Sequence, residues 1–291
     1  MKIAYYPGCS LHASSEIYDI QCRKIFSRLG IELQEIEDWS CCGATSAGKT
    51  DYFLSVALPA RNLGIADASG LSDMLIPCSS CYSRTLVTQQ ILSQNHELKD
   101  KINAELSKKV EGKIKIFNVL DILASKANSG ELTGKTATKL KGLKPVCYYG
   151  CLLTRFPEDI KITDSAENPQ AMETVCKALG AEPLDWSYKT DCCGASGAVN
   201  DTDTSFKLMA NILKDALARG ADSIVTTCPM CQMNLDAYQD QACELYGLPA
   251  KLPVFFVTEL VGIAMGFSPS ELKLDGHFVD CLRPLKRLNL L

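Results

Sequence analysis

Two short stretches, Ser40-Cys41-Cys42-Gly43-Ala44 and Asp191-Cys192-Cys193-Gly194-Ala195, carry the same Cys-Cys-Gly-Ala signature, and the rest of the chain is arranged around them. Upstream of each, a lone cysteine ends an apolar run, in Tyr5-Tyr6-Pro7-Gly8-Cys9 and in Tyr148-Tyr149-Gly150-Cys151. Downstream of each lies a C-x-x-C, Cys78-Ser79-Ser80-Cys81 and Cys228-Pro229-Met230-Cys231. One unit, C…CCG…C-x-x-C, is thus written twice, and the two copies account for ten of the 15 cysteines.

With 291 residues and an internal repeat, the chain is expected to form two domains of about 140 residues each. Its 46% hydrophobic and 22% charged residues are an ordinary balance for a globular protein. A formal net charge of −4 gives no electrostatic case for nucleic acid or an anionic membrane as partner. No run approaches the roughly 18 apolar residues of a membrane span, and Met1 to Pro7 is too short in apolar length for a secretory signal. A cytoplasmic location is therefore expected. There the thiols stay reduced, so a disulfide framework is disfavoured and metal or redox chemistry is favoured. An odd cysteine total also forbids complete pairing.

Around the signatures the elements alternate. Lys2 to Tyr6 reads as a buried strand, followed by a helix that Ser14 or Ser15 starts and Gly30 stops. Ile31 to Glu37 reads as a second strand, Asp51 to Ser69 as a helix, and Asp73 to Pro77 as a strand running into Cys78. Residues 94–113 read as a solvated helix, and 115–123 as strand then helix. The second copy repeats the order: strand Pro145 to Tyr149, helix Asn168 to Leu179, a strand-like Ala181 to Trp186, helix Ser205 to Arg219, strand Asp222 to Thr227, and strand-to-helix Leu252 to Leu260. Each cysteine group falls at the carboxyl end of a strand or at a helix start. α/β folds place ligands there, and a helix N-terminus stabilises thiolate charge there. The expected fold is α/β, with two tandem pseudo-symmetric units, each a small mainly parallel sheet with flanking helices. Residues 1–124 form the first unit, 125–144 a Lys/Gly/Thr/Ser-rich linker, and 145–291 the second, each with a core of its own.

Thiolates bind zinc or iron, and iron–sulfur clusters add bridging sulfide. A tetrahedral zinc uses four ligands, which leaves one of five over. Adjacent cysteines on an extended backbone point apart, so both serve one site easily only if several metal atoms are spread over it. A polynuclear cluster is favoured on that ground. The ferredoxin run C-x-x-C-x-x-C-x-x-x-C is absent, as are G-x-G-x-x-G and the P-loop.

The doubled motif resembles the CCG domain as found duplicated in the B subunit of heterodisulfide reductases. Residues 10–40 and 43–77 separate the groups of the first unit and fit that family's spacing; 152–191 and 194–227 in the second are each one residue outside it. The resemblance implies a non-cubane [4Fe–4S] cluster in each unit, both facing one pocket. Cys9, Cys41, Cys42, Cys78 and Cys81 would hold the first, and Cys151, Cys192, Cys193, Cys228 and Cys231 the second. One iron–sulfur cluster plus zinc is the alternative cofactor set. The implied reaction reduces the mixed disulfide of coenzymes M and B to two thiols, one electron and one iron serving each sulfur. The implied partners are a small C subunit with cubane clusters, a flavin-bearing A subunit, and a hydrogenase or formate dehydrogenase. Two other readings stay open: a related CCG subunit acting on another disulfide or a quinone, and a zinc-stabilised scaffold.

The remaining candidates are weaker. His12 and Arg155 occupy roughly matching places after Cys9 and Cys151. They, with Lys49 and Lys189, are candidates for contact with the sulfonate, carboxylate and phosphate groups of that family's substrates, against an ordinary surface or capping role. Gly43 and Gly194 are expected to let backbone approach a cluster. Cys22, Cys176 and Cys243 read as plain thiols within helices, Cys147 as a packed strand residue, and Cys281 as incidental.

Overall fold

The computed structural model describes residues 1–44, 46–160, 162 and 164–291. The first unit runs β1 (Lys2–Tyr5), a 3₁₀ turn (Cys9–His12), α1 (Glu16–Arg28), β2 (Glu32–Glu35), α2 (Ala47–Thr50), α3 (Tyr52–Ala68), β3 (Asp73–Leu75), α4 (Ser79–Gln94), α5 (His96–Glu105), β4 (Lys115–Phe117) and α6 (Val119–Asn128). A short α7 (Glu131–Gly134) leads to the second unit. That unit continues with β5 (Pro145–Cys147), α8 (Ala171–Ala178), a 3₁₀ turn (Ala195–Gly197), α9 (Thr202–Ala218), β6 (Ser223–Thr226), α10 (Pro229–Ala237), α11 (Gln239–Tyr246), β7 (Val254–Phe256) and α12 (Val257–Ala264). A 3₁₀ turn (Leu274–Gly276) and α13 (Leu282–Arg287) close the chain.

All strand pairings are parallel. The first sheet has the order β2-β1-β3-β4, with Ala4 opposite Met74 and Tyr5 opposite Leu75. The second has the order β5-β6-β7. Beside β5 the expected strand at 181–186 shrinks to one bridge, Val146 to Leu184, held by the N–H groups of Glu182 and Leu184. With that bridge counted, both sheets have one topology. In each, the chain reverses its winding between neighbouring strands, β1/β3 and β5/β6, and such a switch point opens a crevice at the strands' carboxyl ends. Cys9 follows β1, Cys78 follows β3, Cys151 follows β5 and Cys228 follows β6.

The repeat does not produce two separate cores. The closing helix of each unit packs on the opening helix of the other, α6 on α8 and α12 on α1. Tyr18 of α1 stacks on Phe256 with ring centroids 4.1 Å apart. Gln21 of α1 donates to Glu259 at 2.9 Å and to the Leu272 carbonyl at 2.8 Å. The first unit's buried side chains thereby join Val175, Phe255, Leu260 and others of the second in one cluster. A second cluster, around Met209, Ile212 and Ile224, belongs to the second unit alone. The expectation that each unit carries its own core holds only for that cluster. The stretch 125–144 is also packed: Leu132, Leu140 and Leu143 are fully buried, because apolar residues spaced along a polar stretch still bury when a surface lies beneath them.

Candidate metal centres and cavity

In both units the strand end turns sharply just before the lone cysteine. Gly8 and Gly150 have φ of 75° and 68°, and a Cβ there would stand 2.7 Å from Cys81 Sγ and 3.2 Å from Cys231 Sγ respectively. Only glycine lets the turn lie against the second thiol of the C-x-x-C. Tyr6 and Tyr148, each three residues before the lone cysteine, are buried and donate to the carbonyl preceding the cysteine pair, Tyr6 to Ser40 at 2.8 Å and Tyr148 to Asp191 at 2.6 Å. Gly43 and Gly194 also take positive φ, 69° and 83°, and their N–H groups point at the Cys41 and Cys192 sulfurs at 3.4 Å. A side chain there would strike Ala47 and Leu58 in the first unit, or Ser205 in the second. These glycines therefore fit the signature loop against the next helix and aim an N–H at a thiol.

Each C-x-x-C opens a helix. Cys78 and Cys228 are the N-cap residues of α4 and α10, and Cys81 and Cys231 lie in the first turns. The unpaired N–H groups and positive dipole end of a helix favour thiolate there.

The ten motif cysteines come together as two sets with the same internal order. An outer pair is the more accessible: Cys9 and Cys41 are exposed with sulfurs 3.9 Å apart, and Cys151 and Cys192 are half-buried neighbours. An inner three is buried: Cys42, Cys78 and Cys81 in one set, Cys193, Cys228 and Cys231 in the other, with Cys193 and Cys231 sulfurs 3.5 Å apart. Neighbouring thiols share protons unequally. The Cys81 thiol, against the opposing effect of burial, brings Cys42 down to about 7, and Cys81 itself is pushed well up. Cys151 likewise brings Cys192 down to about 6, helped by the Gly194 N–H and the Arg155 charge, and Cys231 brings Cys228 down to about 7. Each set thus holds at least one thiol that ionises near neutral pH, the form in which sulfur ligates metal.

The two sets meet where the C-x-x-C turns face each other. Ser80 and Met230 hold equivalent positions in the two motifs, and Ser80 Oγ lies 3.6 Å from Met230 Sδ. Beside this contact is a cavity of about 360 Å³ lined by all five cysteines of the second set and none of the first. Its other walls are mainly apolar, including Ala44, Val87, Leu152 and Met230, and its one charged lining residue is Arg84 of α4.

The weaker candidates are dispersed. His12 stands edge-on to Trp39 with its Nε2 3.4 Å from Glu35. Lys49 is exposed in the last turn of α2. Lys189 is buried, pairs with Glu173 at 2.7 Å, and accepts the Tyr149 and Gly150 N–H groups at its carbonyl, so it braces the loop before Cys151. Arg155 reaches the Thr190 carbonyl at 3.5 Å. None of the four lines the cavity. Among the other thiols, Cys22, Cys147, Cys176 and Cys281 are buried and Cys243 is half-buried. Sequence reading missed Arg84. Its signal is its place three residues after Cys81, on the face that the first turn of α4 shares with that cysteine.

The family model of the cysteine-rich CCG domain matches residues 3–84 and 146–236. The chain is 33% identical to the 8-methylmenaquinol:fumarate reductase membrane anchor subunit of Wolinella succinogenes, over 97% of this chain and 98% of that one. It is 30% identical to a protein of Archaeoglobus profundus named as like the B subunit of heterodisulfide reductase, over 93% of each chain. It is 27% identical to the B subunit of the ferredoxin:CoB-CoM heterodisulfide reductase of Methanosarcina mazei, over 99% of this chain and 97% of that one. A hypothetical protein from Helicobacter pylori shares the fold, with a TM-score of 0.77 at 13% identity over 95% of this chain and 51% of that one. Among the described residues, no helix is long and apolar enough to cross a membrane. With two matched copies of the motif and relatives similar over nearly their whole length, this chain belongs to the CCG cysteine-rich domain family, in its duplicated form.

Proposed function

We propose that the chain is the substrate-converting iron–sulfur subunit of a multi-subunit oxidoreductase, and that it reduces a disulfide to two thiols. One observation carries this reading: two five-thiol sets with the same internal order lie at facing strand ends, and one of them lines a cavity. Sets made wholly of thiols suit iron and sulfide. Within each set one C-x-x-C thiol meets two others, Cys81 against Cys42 and Cys78 and Cys231 against Cys193 and Cys228, with the remaining two thiols beside them. Among the described residues no three His, Cys, Asp or Glu side chains gather round a point suited to a single ion. That fits a group spread over several ångströms.

Cys9, Cys41, Cys42, Cys78 and Cys81 would hold one non-cubane [4Fe–4S] cluster, and Cys151, Cys192, Cys193, Cys228 and Cys231 the other. When bound, such clusters supply one electron each, which matches the two electrons and two thiolates of disulfide cleavage. The chain's own residues do the rest. The N-termini of α4 and α10 and the Gly43 and Gly194 N–H groups offset negative charge on sulfur. The apolar cavity wall keeps water from the reacting atoms, which strengthens those interactions.

No flavin motif or ferredoxin run is present in the sequence, so electrons come from partners: an iron–sulfur C subunit and a flavin-bearing A subunit, fed by a hydrogenase or formate dehydrogenase. The isolated chain is therefore expected to turn over with a reduced viologen dye and a mixed disulfide, but not with hydrogen, formate or reduced nicotinamide. Activity with any of those three donors alone would contradict the partner requirement.

A second reading has its own support. The mixed disulfide carries several acid groups, whereas the cavity presents one cation among apolar walls. A quinol body suits such walls better, and the Wolinella relative is named as the membrane anchor subunit of an 8-methylmenaquinol:fumarate reductase. Viologen-driven turnover of a water-soluble naphthoquinone, with none of the disulfide, would select this second reading.

A further inference from the structure

The two C-x-x-C helices are equivalent by repeat, yet they differ at the third residue after the second cysteine. In α10 that residue is Asn234, buried and neutral, which donates to the Cys193 carbonyl at 2.9 Å. In α4 it is Arg84, half-buried, whose Nε donates to the Ala44 carbonyl at 3.3 Å. Both tether a signature loop, but only Arg84 brings a charge and donors to spare. Among the described residues its guanidinium pairs with no carboxylate, and its charge is felt by the Cys42 thiol of the first set. It lines the same cavity as the second thiol set. Ser80 and Ser83 of the same helix line the cavity with it, while Val87, Leu152 and Met230 supply apolar surface.

We infer that Arg84 is a substrate-positioning residue, which grips one oxygen acceptor at the far end of a compact apolar redox compound and so presents the other end to the second thiol set. The acceptor is a single acid group on a small thiol or disulfide, or one carbonyl of a quinone ring; both offer lone pairs to a planar guanidinium. A cavity of about 360 Å³ is at the small end of ligand sites, which selects against a substrate with several charged arms. This inference rests on the proposed redox role only for the identity of the compound, since the grip itself is a binding property.

The test is equilibrium binding to the iron-loaded chain by calorimetry, with a short-chain thiol sulfonate and with menadione as separate probes, on wild type, Arg84→Lys and Arg84→Gln. If the ligand is anionic, Arg84→Gln weakens the sulfonate by roughly 10- to 100-fold, because a charge-assisted hydrogen bond is lost, and added salt weakens wild-type binding too. If it is a quinone, menadione weakens only about 2- to 10-fold and is insensitive to salt. Arg84→Lys restores part of the sulfonate affinity and little of the menadione affinity. Because Nε also tethers Ala44, iron content is measured alongside. Should Arg84→Gln lose iron, Val87→Phe, which narrows the same cavity one turn on, carries the test through loss of binding. Unchanged affinity for both probes in Arg84→Gln or, where that variant loses iron, in Val87→Phe overturns the inference, as does failure of wild type to bind either. If binding depends on Arg84 but wild type turns over neither a disulfide nor a quinone, the redox reading fails and the positioning role stands.

Discussion

Replacing Cys192 and Cys193 together by alanine is expected to abolish turnover, by at least about 10³-fold, the scale on which removing one member of a catalytic unit is felt. These two thiols line the cavity, and Cys193 contacts Cys231 at 3.5 Å, so the change removes two of the proposed cluster ligands together with part of the cavity wall. The corresponding change at Cys41 and Cys42 is expected to stop turnover as well, though neither residue lines the cavity. On the proposed two-centre cleavage, with one electron from each centre, the reaction fails when either is lost. The two variants should still differ in binding: the first loses affinity for cavity ligands, and the second keeps it. Cys42 packs in the core shared by both units and Cys193 in the second unit's own cluster, so folding is checked by circular dichroism in each. Single-turnover experiments on the two variants separate the cases, and full activity in a variant proven to have lost one cluster would contradict the two-centre account.

The second large effect lies away from the thiols, at His277. Its side chain is 1% exposed and stands between two buried carboxylates, with Nε2 2.9 Å from Glu259 and Nδ1 3.5 Å from Asp236. Glu259 also receives Gln21 of α1, while Asp236 accepts the Phe278 and Val279 N–H groups and faces Gln232. The buried Cys281 thiol is the other titratable neighbour, pushed up by burial and then by those same carboxylates. One imidazolium therefore ties α1, α10, α12 and the C-terminal segment together. Burial alone would lower its pKa, but the Glu259 and Asp236 charges outweigh burial and hold it up at about 10. Replacing it by alanine leaves two carboxylates buried without a counter-charge, which is expected to cost about 3–5 kcal/mol.

The pH dependence follows from the raised value. In the unfolded chain the ring titrates near its ordinary value of about 6.5. Its contribution is thus complete below that pH and is lost as pH climbs through about 10. The midpoint of urea unfolding is expected to fall between about pH 7 and pH 10 in wild type, and to fall less in His277→Ala. A wild-type profile as flat as the variant's would remove the imidazolium from this role. Since α10 is capped by Cys228 and holds Cys231, loosening Asp236 should also speed loss of iron from the proposed second cluster.

The positions of the thiols were legible in the sequence because strand, turn and cysteine are contiguous there. Lys2–Tyr5 running through Gly8 to Cys9, and Asp73–Leu75 running to Cys78, each place a thiol at a strand's carboxyl end by local rules alone. The pairing of helices between units was not legible. Val257–Ala264 is apolar apart from Thr258 and Glu259, which announces burial but not that α1 of the other unit is what covers it. Leu132, Leu140 and Leu143 were hidden for a related reason, being isolated apolar residues in a polar, Lys-rich stretch whose periodicity is weak. Lys189 illustrates the converse. Its place two residues before the second signature suggests an exposed cation, yet Glu173, distant in sequence, draws it inside. Arg84 could be found only by asking what the helix begun by Cys78 presents one turn later.

Two clusters held by the ten motif thiols are the centre of the proposed chemistry, and metal analysis of anaerobically purified chain tests them directly. The expected result is about eight iron and about eight acid-labile sulfide per chain, as two four-iron groups require. Half that content with stoichiometric zinc would leave one cluster and one structural ion. Zinc with no labile sulfide would contradict the two-cluster chemistry outright and leave a metal-stabilised scaffold in its place.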